Sequence, residues 1–185
     1  MNKKQLLKNG YKEIHDEITI EKASKGGFFI VLPIIIALAI IYLLINGGHN
    51  FLVSPWRDYF KVAIIFIIGF AIHEWLHILL FKNISRNGRY EFSLDPNWMK
   101  PYVRGEEPIK IVSYKIFKGV PLLVTGIIPY VISLIVADIL LMIASILLIG
   151  MCGVDIYKLI KLRKIKGDSY ILDDEYTHGH IIFTK

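Results

Sequence analysis

From Gly119 to Tyr157 the chain runs for 39 residues with only two charged side chains, Asp138 and Asp155. As one helix at ~1.5 Å per residue, this run would be about 58 Å long, nearly twice the ~30 Å hydrocarbon core of a bilayer. It therefore folds back on itself, and Asp138 near its centre marks the turn of a helical hairpin, roughly 119–137 and 139–160. Two shorter apolar stretches precede it. Residues 28–45 carry no charge, and 62–81 are interrupted only by a cluster of polar side chains at 73–77. The first stretch is longer than the apolar region of a signal peptide and no A-x-A site follows, so it reads as a retained anchor. With 54% hydrophobic residues and a mean hydropathy of +0.50, the composition agrees. The expected fold is an all-α membrane protein of about four transmembrane helices (28–45, 62–81, 119–137, 139–160). A small β/amphipathic-helix insertion is expected in the 82–118 loop.

The basic residues supply the orientation. Residues 1–27 contain six Lys/Arg, 82–118 eight and 158–185 six, whereas the 46–61 connection has only Arg57 and Lys61. Basic segments stay cytoplasmic, which places the N-terminal tail (1–27), the 82–118 loop and the C-terminal tail (161–185) inside. A multi-pass protein of a bacterial plasma membrane is the expectation. The net charge of +6 does not indicate a nucleic-acid partner, because no element carries a basic stripe with interleaved aromatics. Cys152 is the only cysteine and lies in an apolar run, so it reads as a small buried hydrophobe.

The soluble segments are short. Tyr90, Phe92 and Leu94 alternate with polar residues in 89–95, a strand signature, and Asp95-Pro96-Asn97 ends it as a turn. Residues 108–118 read as an amphipathic interfacial helix, with Ile109, Val112 and Ile116 on one side and Lys110, Lys115 and Lys118 elsewhere. Glu106-Glu107 before Pro108 suits a helix start. Residues 169–172 and 180–183 are further strand candidates. Trp56, Tyr59, Trp98 and Tyr102 read as interfacial anchors.

The chemistry sits in the second span, where His73-Glu74-Trp75-Leu76-His77 is an H-E-x-x-H motif. On a helix this spacing puts two imidazoles on one face, one turn apart, as two ligands of a tetrahedral zinc require. Glu74 adjoins the first ligand and reaches a zinc-bound water as general base, then carries the proton to the leaving amine. The bland alternative is a pair of satisfied core histidines and a stray carboxylate. Against it, one charged group at the centre of a membrane helix costs ~2.5–3.5 kcal/mol, and three ionisable groups in five residues need a compensating partner such as a divalent cation.

A catalytic zinc takes a third protein ligand and keeps one position open. His77 and His73 precede Lys82, at the end of their span, by about 7 and 13 Å of helix. Asp155 precedes Lys158 and Lys161 at the same end of its own span, so its depth is comparable. Asp138 sits in the opposite turn and is read as solvated. Asp155 is therefore the candidate third ligand, the alternative being an interfacial aspartate paired with Lys158 or Lys161. His178-Gly179-His180 in a polar tail reads as solvated or as a strand end, and His15 and His49 as surface residues.

Taken together, the chain resembles the membrane zincin peptidases, distant relatives of the site-2 proteases. The resemblance rests on His73-Glu74-Trp75-Leu76-His77 and the soluble loop after it. It extends to the proline-bearing third span from Gly119-Val120-Pro121, to Asp155, and to Asp173-Asp174 and Gly179-His180-Ile181, covering most of 60–185. It implies a zinc-dependent endopeptidase acting in or at the membrane on a protein or peptide substrate, with one Zn2+ held by His73, His77 and Asp155 and with Glu74 as base. Site-2 proteases carry their aspartate in an Asn-Pro-Asp-Gly segment. Here it stands in Gly153-Val154-Asp155-Ile156, so their substrate-holding asparagine has no counterpart. A rival of another class is a metal-binding membrane module without hydrolysis (a sensor, transporter or adaptor), which has no need of Glu74.

Overall fold

A computed structural model describes residues 2–16, 20–47, 56–84, 90–94, 101–105, 107–173 and 179–185. The chain is mostly helical. After a short α1 (Lys3–Lys8) and β1 (Lys12–Asp16) come two long helices, α2 (Ile20–Asn46, 27 residues) and α3 (Trp56–Ile84, 29 residues). The strands β2 (Tyr90–Leu94) and β3 (Pro101–Gly105) pair antiparallel, from Tyr90 opposite Gly105 to Leu94 opposite Pro101. A two-residue β4 (Ile109–Lys110) leads into α4 (Ile111–Leu122), a π-helical turn (Leu123–Ile127) and α5 (Ile128–Val136). These last three form one apolar helix of 26 residues. Then follow α6 (Ile139–Met151), α7 (Gly153–Leu162), β5 (Tyr170–Asp173) and β6 (His180–Thr184).

Three of these helices are long and apolar enough to cross a bilayer, and α6 with α7 makes a fourth if the pair, bent by 53°, is taken as one span. Their outward faces carry large apolar side chains, among them Phe29, Leu44, Ile67 and Ile135, each more than 60% exposed. Apolar surface on that scale is what a bilayer covers.

The expected hairpin turn is present. Asp138 is exposed and caps α6, accepting from the N–H groups of Leu140 (2.9 Å) and Leu141 (3.1 Å), with Ala137 in the left-handed region at φ 55°. Two expectations need correction. The amphipathic helix of 108–118 is not a separate interfacial element. Ile109–Lys110 pairs with Tyr170–Ile171 as a strand, and the helix that begins at Ile111 runs on into the third apolar helix. The fourth span is not straight either. It breaks at Cys152, whose N–H bonds back to the carbonyl of Ile149 before Gly153 opens α7. At that break α2 and α7 meet through glycines: a Cβ on Gly27 would lie 2.5 Å from the Gly153 carbonyl carbon.

One end of the helices carries a four-stranded antiparallel sheet in the order β1-β6-β5-β4. Side chains alternate across it. Ile171 and Ile182 join Phe81, Ile111, Tyr114, Phe117 and Leu162 in a core against the helix ends. Ile181 and Phe183 point the other way and pack on Leu6 of α1. A second core of Tyr42, Tyr130, Met142, Ile146 and Ile149 lies among the helices themselves. The turn expected at Asp95-Pro96-Asn97, and Arg89, Trp98, Glu106, His49, His178 and Asp174, lie outside the described residues.

Candidate metal centre

His73 and His77 are one turn apart on the inward face of α3, 3% and 7% exposed. Their rings meet edge-on with centroids 4.8 Å apart, and the two Nε2 atoms are 3.2 Å apart. Asp155 comes from the first turn of α7, whose direction is set by the bend at Cys152. Its Oδ2 lies 3.3 Å from His77 Nε2 and 3.8 Å from His73 Nε2. The structure thus brings the two histidines and this aspartate together, with one ligand atom from each inside a 4.8 Å group.

The donor set can be tested against zinc. Tetrahedral Zn2+ with bonds of ~2.0–2.1 Å holds its ligand atoms about 3.3–3.4 Å apart. The three separations here, 3.2, 3.3 and 3.8 Å, match two edges of that tetrahedron and exceed the third by a few tenths of an ångström. Two imidazoles and a carboxylate are also the hard-to-borderline donors that zinc accepts. The residues fit the ion, and three protein ligands leave a fourth vertex for a reactant. Glu74, next to His73 on α3, is half-buried.

Two further side chains enter the site that the sequence reading passed over. Lys118 places Nζ 2.9 Å from Asp155 Oδ1, with side chains 16% and 13% exposed. It also lies over the ring of Phe117, 4.7 Å from its centroid. Asp155 is thus paired with a lysine from α4 rather than with Lys158 or Lys161 of its own helix. The signal was present: Lys118 immediately precedes the apolar run and so lies at the depth of Asp155. Thr125, in the π-helical turn, lies 3.2 Å from His73 Nδ1.

The remaining candidates lie elsewhere. Asp138 belongs to the turn at the start of α6 and not to this group. Cys152 is buried, donates to the Leu148 carbonyl (3.1 Å) and approaches His73 only on the Nδ1 side (3.8 Å). It acts as a small packed residue, as read from the sequence. Of the two readings of His180 the strand end holds: it opens β6 and is 1% exposed, with Nε2 3.2 Å from the hydroxyl of Tyr114. His15 is exposed in β1, 3.4 Å from Glu13.

An H-E-x-x-H helix and an aspartate at ligand spacing from a second helix, set in an apolar helical frame, make a candidate centre for a divalent cation. The family described as "Putative zincin peptidase" matches residues 66–170, more than half of the chain, and the chain belongs to that family. The matched segment contains His73, Glu74, His77, Lys118, Thr125 and Asp155. No curated protein and no solved structure matches the chain.

Proposed function

We propose that the protein is a zinc-dependent, membrane-embedded endopeptidase that hydrolyses peptide bonds of membrane or membrane-proximal protein substrates, in the manner of the site-2 proteases. The observation that carries this reading is the tetrahedral spacing of His73 Nε2, His77 Nε2 and Asp155 Oδ2 beside Glu74. Zinc bound there supplies Lewis acidity and acidifies water towards a pKa of ~7. Glu74 accepts the proton of the attacking water on its carboxylate and returns it to the leaving amine. The apolar helices cross the bilayer with the sheet on the cytoplasmic side, where the basic segments lie. His77 is one turn from Phe81, which packs in the core beneath the sheet, so the site lies close to the cytoplasmic surface and within reach of water. The substrate binds extended, adding to the β2 edge by main-chain pairing.

The test uses the full chain, purified in detergent and loaded with zinc, on an unfolded membrane-protein substrate. Glu74→Gln retains zinc and lowers the cleavage rate by ~10²–10⁴-fold. If Glu74→Gln binds zinc and cleaves as fast as wild type, the protease reading is wrong. Zinc flux in liposomes that survives this substitution would favour a transporter instead.

A further inference from the structure

The two nitrogens of His73 face different surroundings. Nε2 belongs to the group with His77 and Asp155. Nδ1 faces Thr125 Oγ1 at 3.2 Å and Cys152 Sγ at 3.8 Å. We propose that Thr125 is a positioning residue of the metal centre, its hydroxyl holding His73 in the tautomer that presents the Nε2 lone pair to the cation. The inference rests on reading His73, His77 and Asp155 as a metal site.

A count of protons carries the argument. The Thr125 hydroxyl has one proton, and its oxygen lies 2.8 Å from the carbonyl of Pro121, which only accepts. That proton is therefore committed, and Oγ1 faces Nδ1 as an acceptor. The Cys152 thiol is committed in the same way to the Leu148 carbonyl at 3.1 Å. Both neighbours of Nδ1 offer it lone pairs. An Nδ1 without hydrogen would set its own lone pair against two acceptors in a buried site, where an unmade hydrogen bond costs most. The hydrogen therefore sits on Nδ1, and Nε2 is free to bind.

The local fold explains why a threonine stands there. Pro129 has no N–H to offer the Thr125 carbonyl four residues earlier, and the helix widens into a π-helical turn just before it. Gly126, the next residue, lets this turn sit against α6, since a Cβ there would lie 2.7 Å from Cγ1 of Ile149. Thr125 is 4% exposed and aimed at His73 from across the helix interface.

The experiment measures zinc affinity by chelator competition on the full chain in detergent, with the visible d–d spectrum of the Co2+ form as a second readout. Thr125→Val keeps the shape and removes the hydroxyl; Thr125→Ser keeps the hydroxyl. Loss of such an outer partner typically weakens binding ~10–100-fold, and that is the result expected for Thr125→Val, with an altered Co2+ spectrum and near wild-type behaviour for Thr125→Ser. Wild-type affinity and spectrum in Thr125→Val overturn the inference. A wild-type chain that binds no zinc overturns the metal-site reading instead. If Thr125→Val does not fold, imidazole 15N shifts of His73 in the metal-free wild type decide. A proton on Nδ1 supports the inference and a proton on Nε2 overturns it.

Discussion

Lys118 Nζ lies 2.9 Å from Asp155 Oδ1, while the other carboxylate oxygen, Oδ2, faces His73 and His77. The ion pair ties α4 to α7 and leaves one oxygen for a cation. Without metal, Lys118 is the principal compensation for a mostly buried carboxylate; with metal, the cation takes over part of that task. Removing one partner of a buried pair costs up to ~3–5 kcal/mol. Lys118→Met should therefore lower the melting temperature of the metal-free protein sharply and that of the zinc-loaded protein much less. Thermal unfolding in detergent, with zinc and with chelator, measures the difference. Equal losses in both states would remove Asp155 from the metal's coordination.

Asp155 and Asp138 are the two acids of the long apolar run, and the structure puts one beside His73 and His77 and the other at the N-cap of α6. Asp155→Ala should reduce zinc stoichiometry to near zero in metal analysis of the purified protein. Asp138→Ala removes a helix N-cap worth ~1 kcal/mol and should leave zinc binding unchanged. A reversed pattern would mean that the wrong carboxylate has been assigned to the site.

Zinc should also stabilise the fold by mass action. At a free concentration 100 times its Kd, a ligand specific for the native state adds ~2.7 kcal/mol. The wild type should therefore melt higher in excess zinc than in chelator, and His77→Ala should show no such difference. A zinc-dependent shift that persists in His77→Ala would point to binding elsewhere on the chain.

How much of this was legible depends on whether a feature changes the side-chain pattern. The facing of His73 and His77 follows from i,i+4 spacing, and charge placement at equal depth brought Asp155 alongside them. The break at Cys152 leaves no comparable trace, because an apolar run reads the same whether its helix is straight or bent by 53°. Lys118 was hidden by the reading of 108–118 as an interfacial helix apart, with its lysines away from the apolar side. The strand Lys12–Asp16 is an edge strand with a single aliphatic side chain, and charged edges suppress the alternation that betrays a strand. His180 was read as solvated or as a strand end; it is the start of β6, as the second reading has it, but its burial was not legible in the polar tail before it. It is buried because β6 lies between β1 and β5 and is packed on both faces.

The contact of α2 with α7 yields the last prediction. The Gly27 position faces backbone atoms: a Cβ there would lie 2.5 Å from the carbonyl carbon and oxygen of Gly153, which no rotamer change relieves. Gly27→Ala must push α2 away from α7 or shift the turn from Gly153 to Asp155. Overpacking of this kind costs ~1–3 kcal/mol. Because Asp155 lies in the displaced turn, zinc affinity should fall together with stability. Gly150 provides the contrast on the same bent pair. Its added Cβ would meet only the terminal methyl of Ile35, at 3.2 Å, which can rotate aside, and replacing a glycine in the last turn of α6 recovers at most ~0.5–1 kcal/mol of backbone entropy. Gly150→Ala should thus be near neutral in melting temperature and zinc affinity. If Gly27→Ala proves as mild as Gly150→Ala, the α2–α7 crossing does not hold the aspartate in place.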